Sequence, residues 1–323
     1  DAGDLHAALV FLAIRGIGKA APFLQAMQRD EQTPEDVVLT LMANFGRKVP
    51  SCAALSPTGR MLVERAFEMH RNFNFAQFLQ GENTPRHVGI LQSIIQDEGQ
   101  GGLRFYLLSL VGVMCGLGGA EATRGSLFLD QSNGEMLMAG IAVLQHLESS
   151  SPASIYWTFI ADRAAALRLP FDSLDHLAFA RLACLTRARR GDVTVLQSEW
   201  QRLSRSDRNT LVRHFVADGI STLAFSFSFL PLYLANARRN RAVGLHRALL
   251  VLVELIDTLK SDGYAEKIGA RLLCVNLQDL ADFTAKVESA GAFDVVHVHS
   301  TIVRRQDYLD FVVSARHKQH SSQ

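Results

Sequence analysis

Apolar residues recur at three- and four-residue intervals through most of the chain, the period of an amphipathic helix and not of a strand. Val88, Leu91, Ile94 and Ile95 show it clearly. Four prolines directly follow Ser or Thr, at Thr33-Pro34, Ser56-Pro57, Thr84-Pro85 and Ser151-Pro152. A hydroxyl at the N-cap accepts a hydrogen bond from an orphan amide, and Pro at the first helical position gives up an N–H that has no partner there. Each pair therefore predicts a helix start, and Glu35 and Asp36 add acids at the positive end of one dipole. Starts and period together predict helices over 4–15, 18–29, 34–45, 57–71, 85–97 and 103–115, with a short one at 74–80. A long loop follows, and helices resume over 133–148, capped by Ser132, and over 153–168, 174–190, 193–204, 207–218 and 242–260. Connections are short, which suits antiparallel neighbours.

Ile220–Ala237 carries no charge, with Asp218 before it and Arg238, Arg239 and Arg241 after it. Length and flanking arginines suit a membrane span. Ser221, Ser226, Ser228, Asn236 and Pro231 make it less apolar than a span, so a buried core helix over about 221–237 is expected. The apolar faces of 103–115, a segment apolar on nearly all sides, and of 242–260 are its expected neighbours.

After Gly263 the pattern changes: ARLLCVNL, QDLADFTAKVESAG and FDVVHVHSTIV read as strand, helix and strand, with β-branched runs in place of the helical period. DYLDFVVSARH adds a strand or a last helix, and HKQHSSQ is expected to fray. The predicted fold is mainly α, a multi-helix bundle or irregular helical-hairpin array with a small C-terminal βαβ unit. Its expected domains are a helical one over 1–262, with a sub-boundary near 116–132, and an α/β appendage over 263–323.

Composition changes this picture little: 323 residues, 48% apolar and 20% charged, describe an ordinary globular chain and exclude disordered and collagen-like classes. Cys52, Cys115, Cys184 and Cys274 lie far apart in apolar surroundings without metal-ligand spacing. They read as reduced core residues of a cytoplasmic protein. The opening DAGDLHAALVFLAIRG has an apolar run of signal-peptide length, but acids stand where a signal peptide carries bases.

Charge adds more. The net charge is +1, yet residues 181–247 hold twelve arginines and no lysine against four acids, a surplus of eight. Such asymmetry points either to an anionic partner or to pairing with acids from the rest of the chain. The candidate contact residues are Arg187, Arg189, Arg190, Arg202, Arg205, Arg208, Arg238, Arg239 and Arg241. His214 and His246 sit beside arginines on predicted helices and read as part of the same cationic surface.

Motif chemistry is sparse. Gly116-Leu117-Gly118-Gly119 lacks a following Lys-Ser/Thr pair, and Glu121 breaks the dinucleotide pattern, so a helix end and turn are expected. His297 and His299 project from one face of a predicted strand, as paired metal ligands do, without a third ligand in view. RLLCVNLQDL followed by AFDVVHVHST resembles the later strands of class I SAM-dependent methyltransferases, where an FDVV-type phrase opens a strand beside the cofactor. The family's acidic-Gly-x-Gly loop has no counterpart, and an appendage without cofactor is expected. No GxSxG, HExxH or paired-carboxylate arrangement occurs. The leading expectation is a non-catalytic interaction or scaffold module whose arginine face meets an acidic protein. The alternative is an enzyme or nucleotide-binding protein using the C-terminal unit. Nucleic-acid binding through the arginines comes third, without the interleaved aromatics of single-strand binders.

Overall fold

In the computed structural model, which describes residues 2–20, 33–98, 100–116, 129–217, 224–261, 272–294, 301–305 and 308–312, a helix begins at each of the four prolines that follow Ser or Thr. Thr33 forms a full capping box with Asp36: the Asp36 amide donates to Thr33 Oγ1 at 3.2 Å and the Thr33 amide to Asp36 Oδ2 at 3.0 Å. Ser56 Oγ accepts from the Gly59 amide at 3.0 Å, and Ser151 Oγ from the Ser154 amide at 3.2 Å.

The chain divides into two compact units, Asp1–Leu79 with Pro85–Phe159, and Gln80–Thr84 with Ile160–Gln323. The first contains α1 (Ala2–Ile14), α2 (Pro34–Phe45), α3 (Pro57–Asn72), α4 (Phe75–Leu79), α5 (Pro85–Glu98), α6 (Gln100–Gly116) and α7 (Gln131–Leu144). α3 packs against α1, α2, α5 and α6. Its core is aromatic: Phe11, Phe67, Phe73, Phe75, Phe78, Tyr106, Tyr156 and Phe159 are fully buried. Each such ring contributes about 1.5–3 kcal/mol by leaving water. The Tyr106 hydroxyl is satisfied inside this core, donating to Phe73 O at 2.7 Å and accepting from the Phe75 amide at 3.3 Å, with His70 Nδ1 at 3.0 Å. That hydroxyl holds the break between α3 and α4 in place.

Helix α8 (Pro152–Leu167) leads into the second unit, followed by α9 (Leu174–Leu185), α10 (Val193–Arg202), α11 (Arg205–Ala217), β1 (Ala224–Ser228), α12 (Leu230–Arg239), α13 (Gly244–Ser261), β2 (Leu272–Asn276) and α14 (Gln278–Lys286). Strands β3 (Thr301–Arg305) and β4 (Tyr308–Val312) complete a four-stranded sheet of order β1-β2-β4-β3, in which β1, β2 and β4 are parallel and β3 is antiparallel to β4. The protein is mainly α, and β2, α14 and β4 form its C-terminal βαβ unit.

Several expectations need correction. The uncharged stretch is not one helix: Ala224–Ser228 is a strand, Phe229 turns at φ 64°, and a helix starts at Leu230. The alternation Phe225-Ser226-Phe227-Ser228-Phe229 has a period of two, and Pro231 near the start of α12 marks where the helix begins. From Ser226 on the stretch does line a dry core, since Ser226, Phe227, Leu230, Tyr233, Leu234 and Ala237 are buried, and α13 packs on α12 as expected. Segment 103–115 lies in the other unit, and its Leu108 is exposed. α7 is capped by Asp130, which accepts from the Asn133 amide at 2.8 Å, and not by Ser132. α9 stops at Leu185 and not at 190. Phe293 and Asp294 end a short helical turn, Ala290–Asp294, instead of opening a strand. Cys52 and Cys184 are buried and Cys274 is half-buried, but Cys115 is exposed. The expected helix over 18–29 and the fraying tail fall largely outside the described residues.

Candidate functional site

Three local features of the second unit converge where β1 ends. The first is the left-handed residue Phe229, which lets the chain pass from strand to helix in a single residue and is itself 39% exposed. The second is the stop of α9. With no glycine available, Arg187 takes φ 53°, its amide donates to Cys184 O at 2.9 Å and that of Ala188 to Ala183 O at 2.9 Å. This is a Schellman motif with arginine at the position glycine usually fills. The third is the segment Gln80–Thr84, distant in sequence, in which Glu82, Asn83 and Thr84 are buried.

Polar contacts tie these features together. Gln80 Oε1 accepts from Arg187 Nη2 at 2.7 Å and Nε at 3.1 Å, which fixes the guanidinium plane. Arg181, 4% exposed, donates from Nε to Gly81 O at 3.0 Å and from Nη1 to Phe215 O at 2.8 Å, and its guanidinium lies 5.6 Å from the Phe215 ring centre. Gly81 has φ +69°, and a Cβ there would meet Cys184 Cβ at 3.0 Å, so the close passage over α9 requires glycine. The carboxyl of Glu82 accepts from the Phe229 amide at 2.9 Å. The amide at the entrance to α12, where a bound anion would otherwise be received, is therefore taken by the chain's own side chain.

Burial pushes the Glu82 carboxyl up to about 8, against the opposing pull of the Phe229 amide, Arg187 and Arg181. Ser226 and Cys274 are register partners on β1 and β2. Burial pushes the Cys274 thiol up to about 11, although the Ser228 and Ser226 hydroxyls bond to it. A thiol so placed is not a nucleophile at neutral pH, because the thiolate is the reactive form. Sequence patterns do not single out Glu82, Arg181 or Phe229, and Cys274 reads there only as a reduced core residue. The alternating Phe/Ser run and Gly81 beside buried polar residues were the available signals.

The nine predicted arginines divide. Arg238 Nη1 pairs with Asp192 Oδ2 at 3.2 Å, the Arg189 amide donates to the same oxygen at 2.9 Å, and Arg187 lies within electrostatic reach of both Glu82 and Arg239. These contacts gather Arg187, Arg189, Arg238 and Arg239 at one place. Arg190 donates from Nε to Ala166 O at 2.8 Å, closing the C-terminal end of α8. Arg202 pairs with Glu199 at 2.9 Å, and Arg205 and Arg208 lie in the first turn of α11. Among the described residues these three have no hydrogen bond or ion pair to the gathered group. Arg241 is exposed beyond α12. His214 belongs to the core and not to a cationic surface: it is 2% exposed, with its ring 5.0 Å from that of Phe227.

His297, His299 and the glycines after Gly116 lie outside the described residues. Among the described residues no three His, Cys, Asp or Glu side chains group to hold a metal, and no helix is long and apolar enough to cross a membrane. No curated protein and no solved structure gives a significant match to the chain. One family model, described as "Family of unknown function (DUF6829)", matches residues 1–256, and the chain belongs to that family.

Proposed function

We propose that the protein is a non-catalytic binding module whose cationic cluster, Arg187, Arg189, Arg238 and Arg239, receives an acidic protein segment. The observation that carries this reading is that Arg238 pairs with Asp192, which also takes the Arg189 amide, while Arg187 lies within electrostatic reach of Arg239. Asp192 is one unit of negative charge. Glu82 adds little at neutral pH, because burial favours its protonated form. Residues 181–247, which contain these arginines, hold twelve arginines against four acids, a positive surplus that attracts carboxylates and accelerates encounter with an acidic partner.

The test is fluorescence anisotropy of a labelled poly-glutamate peptide with the full chain. The triple variant Arg187→Glu, Arg238→Glu, Arg239→Glu is expected to bind at least about tenfold more weakly than the parent, and added salt is expected to weaken parent binding. Equal binding by the triple variant would remove the cluster from the reading.

A second reading rests on the two successive parallel strand–helix units, β1–α12 and β2–α14, with the shifted Glu82 beside the strand ends, a place where α/β proteins bind small ligands. It makes the protein an enzyme or nucleotide-binding protein, with the methyltransferase-like sheet as a remnant. A thermal-shift panel of SAM, nucleotides and divalent metal ions tests it, since a ligand of the folded state raises apparent stability. A flat panel counts against this class.

A further inference from the structure

Phe229 is held in a conformation that costs an L side chain about 1–2 kcal/mol, at a turn where glycine or asparagine would sit without that cost. The residue keeps 39% of its surface open to solvent, so part of the ring is available to a partner. A strained, part-exposed aromatic is a lead to function when its surroundings supply the chemistry of a ligand site. Those of Phe229 do. The Phe229 amide is pinned by Glu82, and Glu82 also faces Arg187, whose guanidinium is oriented by Gln80. Arg239, at the other end of the helix that Phe229 opens, lies within reach of Arg187. The turn that carries the part-exposed Phe229 is thus tied through Glu82 to an oriented arginine, and aromatic and arginine side chains are the residues from which interface anchors are usually built.

We infer that the β1–α12 turn is the anchor of the binding surface, and that it takes a partner segment in which an aromatic or large aliphatic side chain is flanked by carboxylates. The apolar residue covers the Phe229 ring, and the carboxylates meet Arg187 and Arg239. This deepens the proposed function and rests on it. Charge complementarity selects an acidic segment. A single ring does not supply the row of stacking platforms that single-stranded nucleic acid requires.

The experiment compares two labelled peptides on the full chain, poly-glutamate carrying one tryptophan and the same peptide with glycine in its place, with oligothymidylate as a third probe. The tryptophan peptide is expected to bind the parent about tenfold more tightly than its glycine counterpart, the size of one aromatic anchor. Phe229→Gly and Phe229→Asn both accept the left-handed turn, so circular dichroism and melting should show folded proteins. In both variants the tryptophan advantage is expected to vanish while affinity for the glycine peptide stays unchanged. Equal affinity of the two peptides for the parent, or an advantage that survives in both variants, overturns the anchor. Tighter binding of oligothymidylate than of the tryptophan peptide overturns it in favour of nucleic acid. If neither peptide binds the parent, or the triple arginine variant binds the glycine peptide as well as the parent does, the cluster itself fails and the anchor falls with it.

Discussion

Arg168, Arg187 and Phe229 hold φ values of 60°, 53° and 64°, and each ends or begins a helix. Arg168 repeats the α9 stop one helix earlier: its amide donates to Ala165 O at 3.0 Å and that of Leu169 to Ala164 O at 2.9 Å. Both helices therefore close with a Schellman motif built on arginine, where sequence reading looks for glycine. This is why α9 was expected to run on to 190. Arg168 is exposed and is not one of the four arginines assigned to the cluster, so its substitution reads the conformational cost. Arg168→Gly is expected to raise stability by about 0.5–1 kcal/mol, the relief of the left-handed strain less the added freedom of the unfolded chain. A higher urea midpoint at unchanged slope would show it. No rise would mean that the arginine side chain returns an equal stabilisation through contacts of its own.

At the scale of elements, the segment Gln80–Thr84 joins the second unit through side chains and not through regular structure. Arg181 is central to that attachment, since it bonds the Gly81 carbonyl and the Phe215 carbonyl near the end of α11 at once. Arg181→Met keeps the apolar stem but leaves two buried carbonyls without that donor. It is expected to cost about 2–6 kcal/mol, at about 1–3 kcal/mol for each carbonyl that loses this donor. Chemical denaturation measures the loss. Amide exchange should in addition quicken at Phe229, whose N–H loses protection once Glu82 is no longer held. An exchange rate at Phe229 equal to the parent's would show that Glu82 keeps its place without Arg181.

For the whole molecule, two buried groups give the units opposite responses to pH. Burial raises Glu82 from 4.5 to about 8. Between those values the folded second unit keeps a proton that the unfolded chain has released, so stability is greatest below pH 4.5 and is lost as pH rises through about 8. Burial lowers His70 from 6.5 to about 4, helped by the nearby charges of Arg15 and Lys19. Here the unfolded chain takes up the proton first, so the stability of the first unit is present above pH 6.5 and is lost as pH falls toward about 4. Melting followed by exchange in each unit should show the first weakening toward acid and the second toward base. Glu82→Gln is expected to flatten the basic limb alone. A basic limb that persists in this variant would assign it to another group.

The amino-acid sequence determined the helical character of the protein, its helix starts and the turn to strand and helix after Gly263, because caps, prolines and apolar period act within a few residues of one another. Thr33, Ser56, Thr84 and Ser151 announce helices without help from the rest of the chain. It also marked Ile220–Ala237 as dry, since a stretch without charge has no other stable place, and it located an arginine surplus. Tertiary structure alone decided that this stretch is strand, turn and helix, because the pairing of β1 with β2 lies between segments far apart in sequence. Only the fold decided which arginines lie near one another, by packing α9 against α12. Only the fold brought Glu82 under Phe229, a contact across 147 positions that no local pattern encodes.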